Sequence, residues 1–328
     1  MKRLDFGFFV FVFVALIFLV VPCQAAQNQP LVLTCLQATY SFASVLTKGT
    51  SIKVVDLSSA GYPMERLNSY FKKHEEQIEG YFTEADAVIT IRNVWKQDPL
   101  YIYARKRNIR VIEIDASTPF DPDLTGVSVL EAPSGAALLP GARGNVSPGK
   151  DRRAISPYIW LSLSNASKML GVIAADLKRL SPTDAAAIAK NLVSFKKELF
   201  GLMLEYENRF ACLESFDVFS LTDVFPYFTN GLNIHVMGYF LKDDFYWTEE
   251  DLANLATRLQ QDNIKVVIHK WEPKPEIVRA IKGAGARLAV LDSMDPGSRV
   301  KGVLDPDGYL KMMRKNLSAI AEAFEDKQ

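Results

Sequence analysis

Imidazole and thiol are scarce here: 328 residues contain three histidines and three cysteines. These side chains hold zinc and the later first-row metals most tightly. His74, His235 and His269 form no HxxxH-type pair. HExxH, GxSxG, a P-loop and a Cys–His pair in catalytic context are also missing. Asp223, Glu272 and Asp292 could form an acid–base pair only if folding brought them together, so no enzyme is expected. Charge of one sign is lacking too. Lys plus Arg and Asp plus Glu each number 38, and without a basic excess there is no electrostatic footprint for nucleic acid.

Long apolar runs are confined to the start of the chain. Lys2 and Arg3 precede an apolar stretch from Phe6 to Pro22, and the small residues Ala25 and Ala26 follow. This layout predicts a signal peptide over 1–26, cleaved on export to the periplasm. An uncleaved anchor and a lipoprotein at Cys23 are the other readings, although Val20-Val21-Pro22 is a poor approach to a lipid-attachment site. No later stretch is long and apolar enough to cross a bilayer. Cys35 and Cys212 are far apart in sequence and are expected to be buried free thiols.

What is present is alternation. LVLTCL, IKVVDLS, ADAVITI and RVIEID read as strands, separated by helical stretches that include one amphipathic helix, ERLNSYFKKHEEQIEGYF. Residues 117–151, rich in Pro, Gly and Ser, read as loop. Ser181-Pro182-Thr183-Asp184 then caps a run of helix formers reaching Cys212. Such a helix would be on the order of 40 Å long, too long for one small lobe. Beyond it FDVFSL, NIHVMG, IKVVIH and RLAVLD alternate with helices, TDVFPYFTNG among them. The expected fold is α/β, with two lobes of parallel β-sheets flanked by helices and joined by one long connecting helix. The lobes are expected at 27–183 and 213–328, with the connecting helix at 184–212. Ligands of such sheets bind at the carboxyl ends of the strands, so the gap between lobes is the expected site.

Several local strings share an order with a known family. Ser156-Pro157-Tyr158-Ile159-Trp160-Leu161-Ser162 followed by Asn165-Ala166 is similar to "PHxWLxPxNA". Leu221 to Phe228 is similar to "xHDAFxYF", and Tyr309 to Leu317 to "YxxxMxxNL". Together they resemble the periplasmic solute-binding proteins of zinc and manganese ABC transporters, the ZnuA/TroA type. The resemblance implies a monomeric binding protein serving an ABC permease and its ATPase. It also implies a metal held by three histidines and a carboxylate. Here the corresponding positions are Met64, Tyr158, Thr222 and Asp292, so only the carboxylate is kept.

A thioether, a phenol, an alcohol and one carboxylate make a poor zinc site. Glu65, Asp223, His269 and Glu272 lie close enough in sequence to substitute, and Asp292 with His269 is the expected metal pair. Arg92 and Trp95 follow one strand, Trp160 flanks Tyr158, Tyr227 follows Asp223, and Trp271 follows His269. Aromatic faces with one guanidinium suit an organic or chelated ligand, although the same rings could simply close the interface between lobes. The expected function is therefore capture of a divalent metal ion or metal chelate for an importer. A metal chaperone or sensor, or a relative that has lost metal binding and takes an organic ligand or protein partner, are the alternatives.

Overall fold

The structure, a computed structural model, describes residues 29–133, 154–211, 213 and 216–325. The expected signal peptide, with Cys23, and Cys212 lie outside the described residues. Cys35 is buried and free.

Strands β1 (Leu31–Thr34), β2 (Lys53–Asp56), β3 (Ala87–Thr90) and β4 (Ile112–Asp115) form a parallel sheet in the order β2-β1-β3-β4. Strands β5 (Asp217–Ser220), β6 (His235–Tyr239), β7 (Val266–His269) and β8 (Arg287–Val290) repeat that order as β6-β5-β7-β8, again all parallel. The inner strands LVLT, AVIT and VVIH are buried at every residue. Helices cover both faces of such sheets, so their inner strands read as continuous apolar runs.

The long helix runs from Ala185 to Phe210, about 40 Å at the usual rise. Near its start Asn191 Nδ2 donates to Leu46 O and Lys48 O, both at 2.9 Å. Near its end Arg209 grips Glu325 at 2.5 and 2.8 Å, and Tyr206 shares a 2.6 Å hydrogen bond with Ser318. Its first half thus fastens to the N-terminal lobe and its second half to the closing helix, Gly308–Phe324.

The closing helix also returns to the N-terminal lobe, packing on the helix Gln37–Leu46. Tyr309 meets Phe42 edge-on at 4.6 Å and donates to Trp160 O at 2.8 Å. Gln37 Nε2 donates to Asp305 O at 2.8 Å. A Cβ added at Gly308 would lie 2.6 Å from Gln37 Nε2, so only glycine permits this approach. One continuous core consequently spans both lobes, from Val32 and Ile89 to Val218 and Val266. A smaller core, including Phe219, Leu255 and Ile281, fills the other face of the second sheet.

Three local features differ from the sequence expectation. The single amphipathic helix is two, Leu67–Lys73 and Glu75–Glu84, broken at His74. Lys72 and Lys73 end the first and Glu75 and Glu76 open the second, so each new terminus carries the charge its dipole favours. The helix after Asp223 starts only at Pro226, which supplies the first-turn φ. Between β8 and the closing helix lies a hairpin, Arg299–Val300 with Val303–Leu304. Lys301 and Gly302 turn it, both at positive φ, as a two-residue loop requires.

Candidate functional site

The loop after β2 ends at Pro63, whose extended ψ stops the chain short of a helix, and Met64 opens a single tight turn. The Met64 side chain is buried, and its N–H donates to Asp295 Oδ1 at 2.7 Å across the gap between lobes. The turn carrying Asp295 is fixed from within: Asp292 Oδ1 accepts from Met294 N at 2.8 Å, and Ser293 Oγ accepts from Asp295 N at 3.2 Å. It is also fixed from the other lobe, where Trp160 Nε1 donates to Ser293 O at 3.0 Å.

Asp295 is largely enclosed. Burial pushes its carboxyl up to about 6, and the nearby Glu65 adds to this against the pull of the Met64 N–H and Lys270. Tyr158 lies beside it, edge-on to Trp160 at 5.5 Å. Burial raises the phenol well above its ordinary range, and the carboxylates of Asp295, Glu65 and Asp223 raise it further. Tyr239 is raised by burial and by Asp223. Glu65, Tyr158, Asp223, Tyr239 and Asp295 are thus near enough for their charges to act on one another's groups.

Thr222 forms part of the same wall. Its backbone is clamped by Ser220 Oγ, yet its own buried Oγ1 has no partner. An orphaned buried hydroxyl costs about 1–3 kcal/mol.

His269, at the carboxyl end of β7, is buried under the Trp271 ring, 4.9 Å between centroids. Its Nε2 stands 3.7 Å from Asp244 Oδ1, too long for a hydrogen bond, and neither ring nitrogen has a partner. Burial pushes the imidazole down to about 4 despite the Asp244 carboxylate. It is neutral at pH 7.

The structure thus places Met64, Glu65, Tyr158 and Asp223 about the Asp295 turn, with Thr222 next to Asp223, His269 at the end of β7 and Trp271 in the segment that follows. Other expected residues are occupied elsewhere. Arg92 pairs with Glu113 at 3.5 Å and lies over Tyr101. It borders a separate cavity of about 290 Å³ past β3 and β4, shared with Asp115, Phe120 and Asp176. Trp95 and Trp160 are interior packing, and Tyr227 is buried with its hydroxyl accepting from Leu130 N at 2.9 Å. Glu272 is exposed. One Asp292 carboxylate oxygen shapes its own turn, and the carboxylate that reaches across the gap is Asp295. Asp295 was not among the expected residues, although it lies three residues past Asp292 in LDSMDPG. The turn between them holds Met294 at a φ of 63°.

For the expected metal pair Asp292 and His269, the described residues contain no group of three His, Cys, Asp or Glu side chains placed to hold a metal ion. The donors at the gap are oxygens: a neutral phenol, an alcohol and carboxylates. Such a set suits hydrogen bonding to a ligand better than tight coordination of a bare zinc ion.

Two like-ordered parallel sheets with one long helix between them are the architecture of a two-lobed solute-binding protein. The chain belongs to the ZnuA family, described as zinc-uptake complex component A, periplasmic, whose model matches residues 36–323. A structure of an FpvC mutant from Pseudomonas aeruginosa is similar, with 20% identity, a TM-score of 0.71, and coverage of 90% of this chain and 98% of that one. The Zn(II)-bound ZnuA-like domain of Streptococcus pneumoniae AdcA is similar at 18% identity and a TM-score of 0.64, over 91% of this chain and all of that one. At such identities the likeness speaks for the fold alone. A curated relative from Treponema pallidum (strain Nichols), named "Putative metal-binding protein", is 21% identical over 174 residues, 52% of each chain. The match thus spans about half the length of that relative.

Proposed function

We propose that this chain is the extracytoplasmic solute-binding component of an ABC importer, taking a metal ion or metal chelate between its lobes and presenting it to the permease. Family membership supports the class. The observation that carries the reading is the pairing of a lobe-bridging Asp295–Met64 bond with the unsatisfied Thr222 hydroxyl and the neutral Tyr158 phenol beside it. A bond across the gap can report a bound cargo to a permease, because a ligand shifts such an equilibrium by its differential contacts with the two states. The oxygen donors favour a chelate, which brings most of its own ligands to the metal.

Two measurements on the mature protein, purified without chelators and then denatured, test this. Elemental analysis and small-molecule mass spectrometry of the released material are expected to give a metal and an organic chelator in equal amounts. A stoichiometric metal with no organic partner overturns the chelate preference, and neither one overturns the capture reading.

A further inference from the structure

The long helix Ala185–Phe210 turns one face to water, and three large apolar residues stand on it: Val193, Phe200 and Leu204, at 70%, 59% and 46% exposure. Single exposed apolar residues are ordinary. These three belong to a row of exposed positions, spaced alternately four and three residues apart from Ala186 to Ala211, which is the spacing at which two helices pack side by side. Any helix surface offers such a row, but this one is complementary to itself when reversed. Counted inward from its two ends, it pairs Ala186 with Ala211, Lys190 with Glu207, Val193 with Leu204 and Lys197 with Phe200. The charges of the helix divide in the same way, with Lys190, Lys196 and Lys197 in its first half and Glu198, Glu205 and Glu207 in its second. Its remaining charge, Arg209, is held by Glu325, and Glu205 is held by Arg314 at 2.8 Å. Lys190, Lys197 and Glu207 have no partner among the described residues. Ala189 and Ser194 flank the row, and at Gly201 an added Cβ would meet nothing within 4 Å, so small side chains let a second helix come close.

We infer that this face is the seam of a homodimer, in which two copies of the chain lay their long helices side by side and antiparallel about a twofold axis between Glu198 and Leu199. Every layer of such a seam is matched, and each occurs twice by the symmetry. Lys190 meets Glu207 of the other copy, Val193 meets its Leu204, and Lys197 sets its ammonium against the Phe200 ring. A parallel pair would instead place Lys190 on Lys190 and Glu207 on Glu207, so charge selects the antiparallel one. Apolar contact is confined to Val193, Phe200, Leu204 and the terminal alanines, which sets the dissociation constant at about 1–100 µM. The dimer departs from the single copy that the family resemblance implies.

Sedimentation velocity of the mature chain, from about 1 µM to about 1 mM, is expected to show monomer passing to dimer. Lys190→Glu and Glu207→Lys each create two layers of like charge and should weaken the dimer about tenfold or more. The double variant Lys190→Glu with Glu207→Lys exchanges the signs and should return it to the parent's strength. Leu204→Ser should weaken it by a factor like that of the single reversals. All these side chains are in water, and each reversal places the charge that its end of the helix dipole favours, so the variants should melt with the parent and the comparison is between folded chains. A chain that stays monomeric at the highest concentration overturns the inference. A dimer indifferent to the single reversals overturns it too, as does one that the double reversal fails to restore. No cargo enters this measurement, so the capture reading is still decided by the material released from the native protein.

Discussion

The two lobes share a strand order and differ in what they carry at the strand ends. In the first lobe the residues after β2 and β3 include buried Met64 and Trp95 and the fully enclosed Asp98, whose oxygens accept from Ile91 N and Leu100 N. In the second the segments after β6 and β7 put Phe245, Tyr246 and Trp271 in water, with His269 beneath Trp271 and its nitrogens unpaired. The same topology thus carries enclosed loop side chains on one side and exposed aromatic rings on the other, because a shared fold does not fix the chemistry of its loops.

Two tryptophans break the comparison most sharply. Trp160 is buried and ties the lobes through Ser293, so Trp160→Ala is expected to cost about 3–5 kcal/mol in urea unfolding. Trp271→Ala, in the exposed segment after β7, should stay within about 0.5 kcal/mol. Equal losses would mean that the segment is structural.

Gly308→Val comes next. The branched side chain would enter the space held by Gln37, whose amide is fixed by Ser41 and Asp305. A loss of about 1–3 kcal/mol is expected from overpacking. An unchanged unfolding midpoint would show that the seam between lobes is loose.

The buried acids sharpen the contrast through pH. Burial lifts Asp295 to about 6 and Asp98 to about 7. A raised carboxyl binds its proton more firmly in the folded chain, so its contribution is full below about pH 4 and is lost as pH rises through the folded value. For Asp295 the loss is on the order of 3 kcal/mol, nearly complete just above pH 6. Asp295→Asn keeps an acceptor for Met64 N and removes that loss, so the variant should gain on the parent between pH 4 and 6.5. Asp98→Asn should continue to gain to about pH 7. Parallel pH profiles for parent and variant would refute the burial assigned to each acid.

The smallest effect concerns the helix ends. Asn191→Ala removes two bonds to carbonyls of the first lobe and should cost about 1 kcal/mol. Arg209→Ala removes a mostly solvated pair with Glu325 and should cost no more than about 0.5 kcal/mol. Chemical denaturation of the two variants ranks them.

Much of the fold was legible in the sequence because buried parallel strands and a capped run of helix formers leave strong periodic signals. VVIH and AVIT announce themselves. The break at His74 did not, because the apolar stripe continues through Phe71 and Ile78 while only the charge order changes. Tyr158 and Thr222 could be singled out as candidates because local strings fixed their register. Asp295 could not, since its role depends on a turn geometry three residues long and on a partner far away in sequence, Met64. Tyr239 and Asp244 were missed for the same reason: nothing local marks a side chain whose importance comes from the opposite wall.

The return of the closing helix to Gln37 bears on the order of events in biosynthesis. Translation delivers the chain from its amino end, and the first described helix, which packs on the long helix as well, completes its cover only when residues 308–324 arrive. Until that last segment has been made, Phe42 lacks Tyr309 and Gln37 lacks the Asp305 carbonyl, so the leading lobe is finished by the end of the chain.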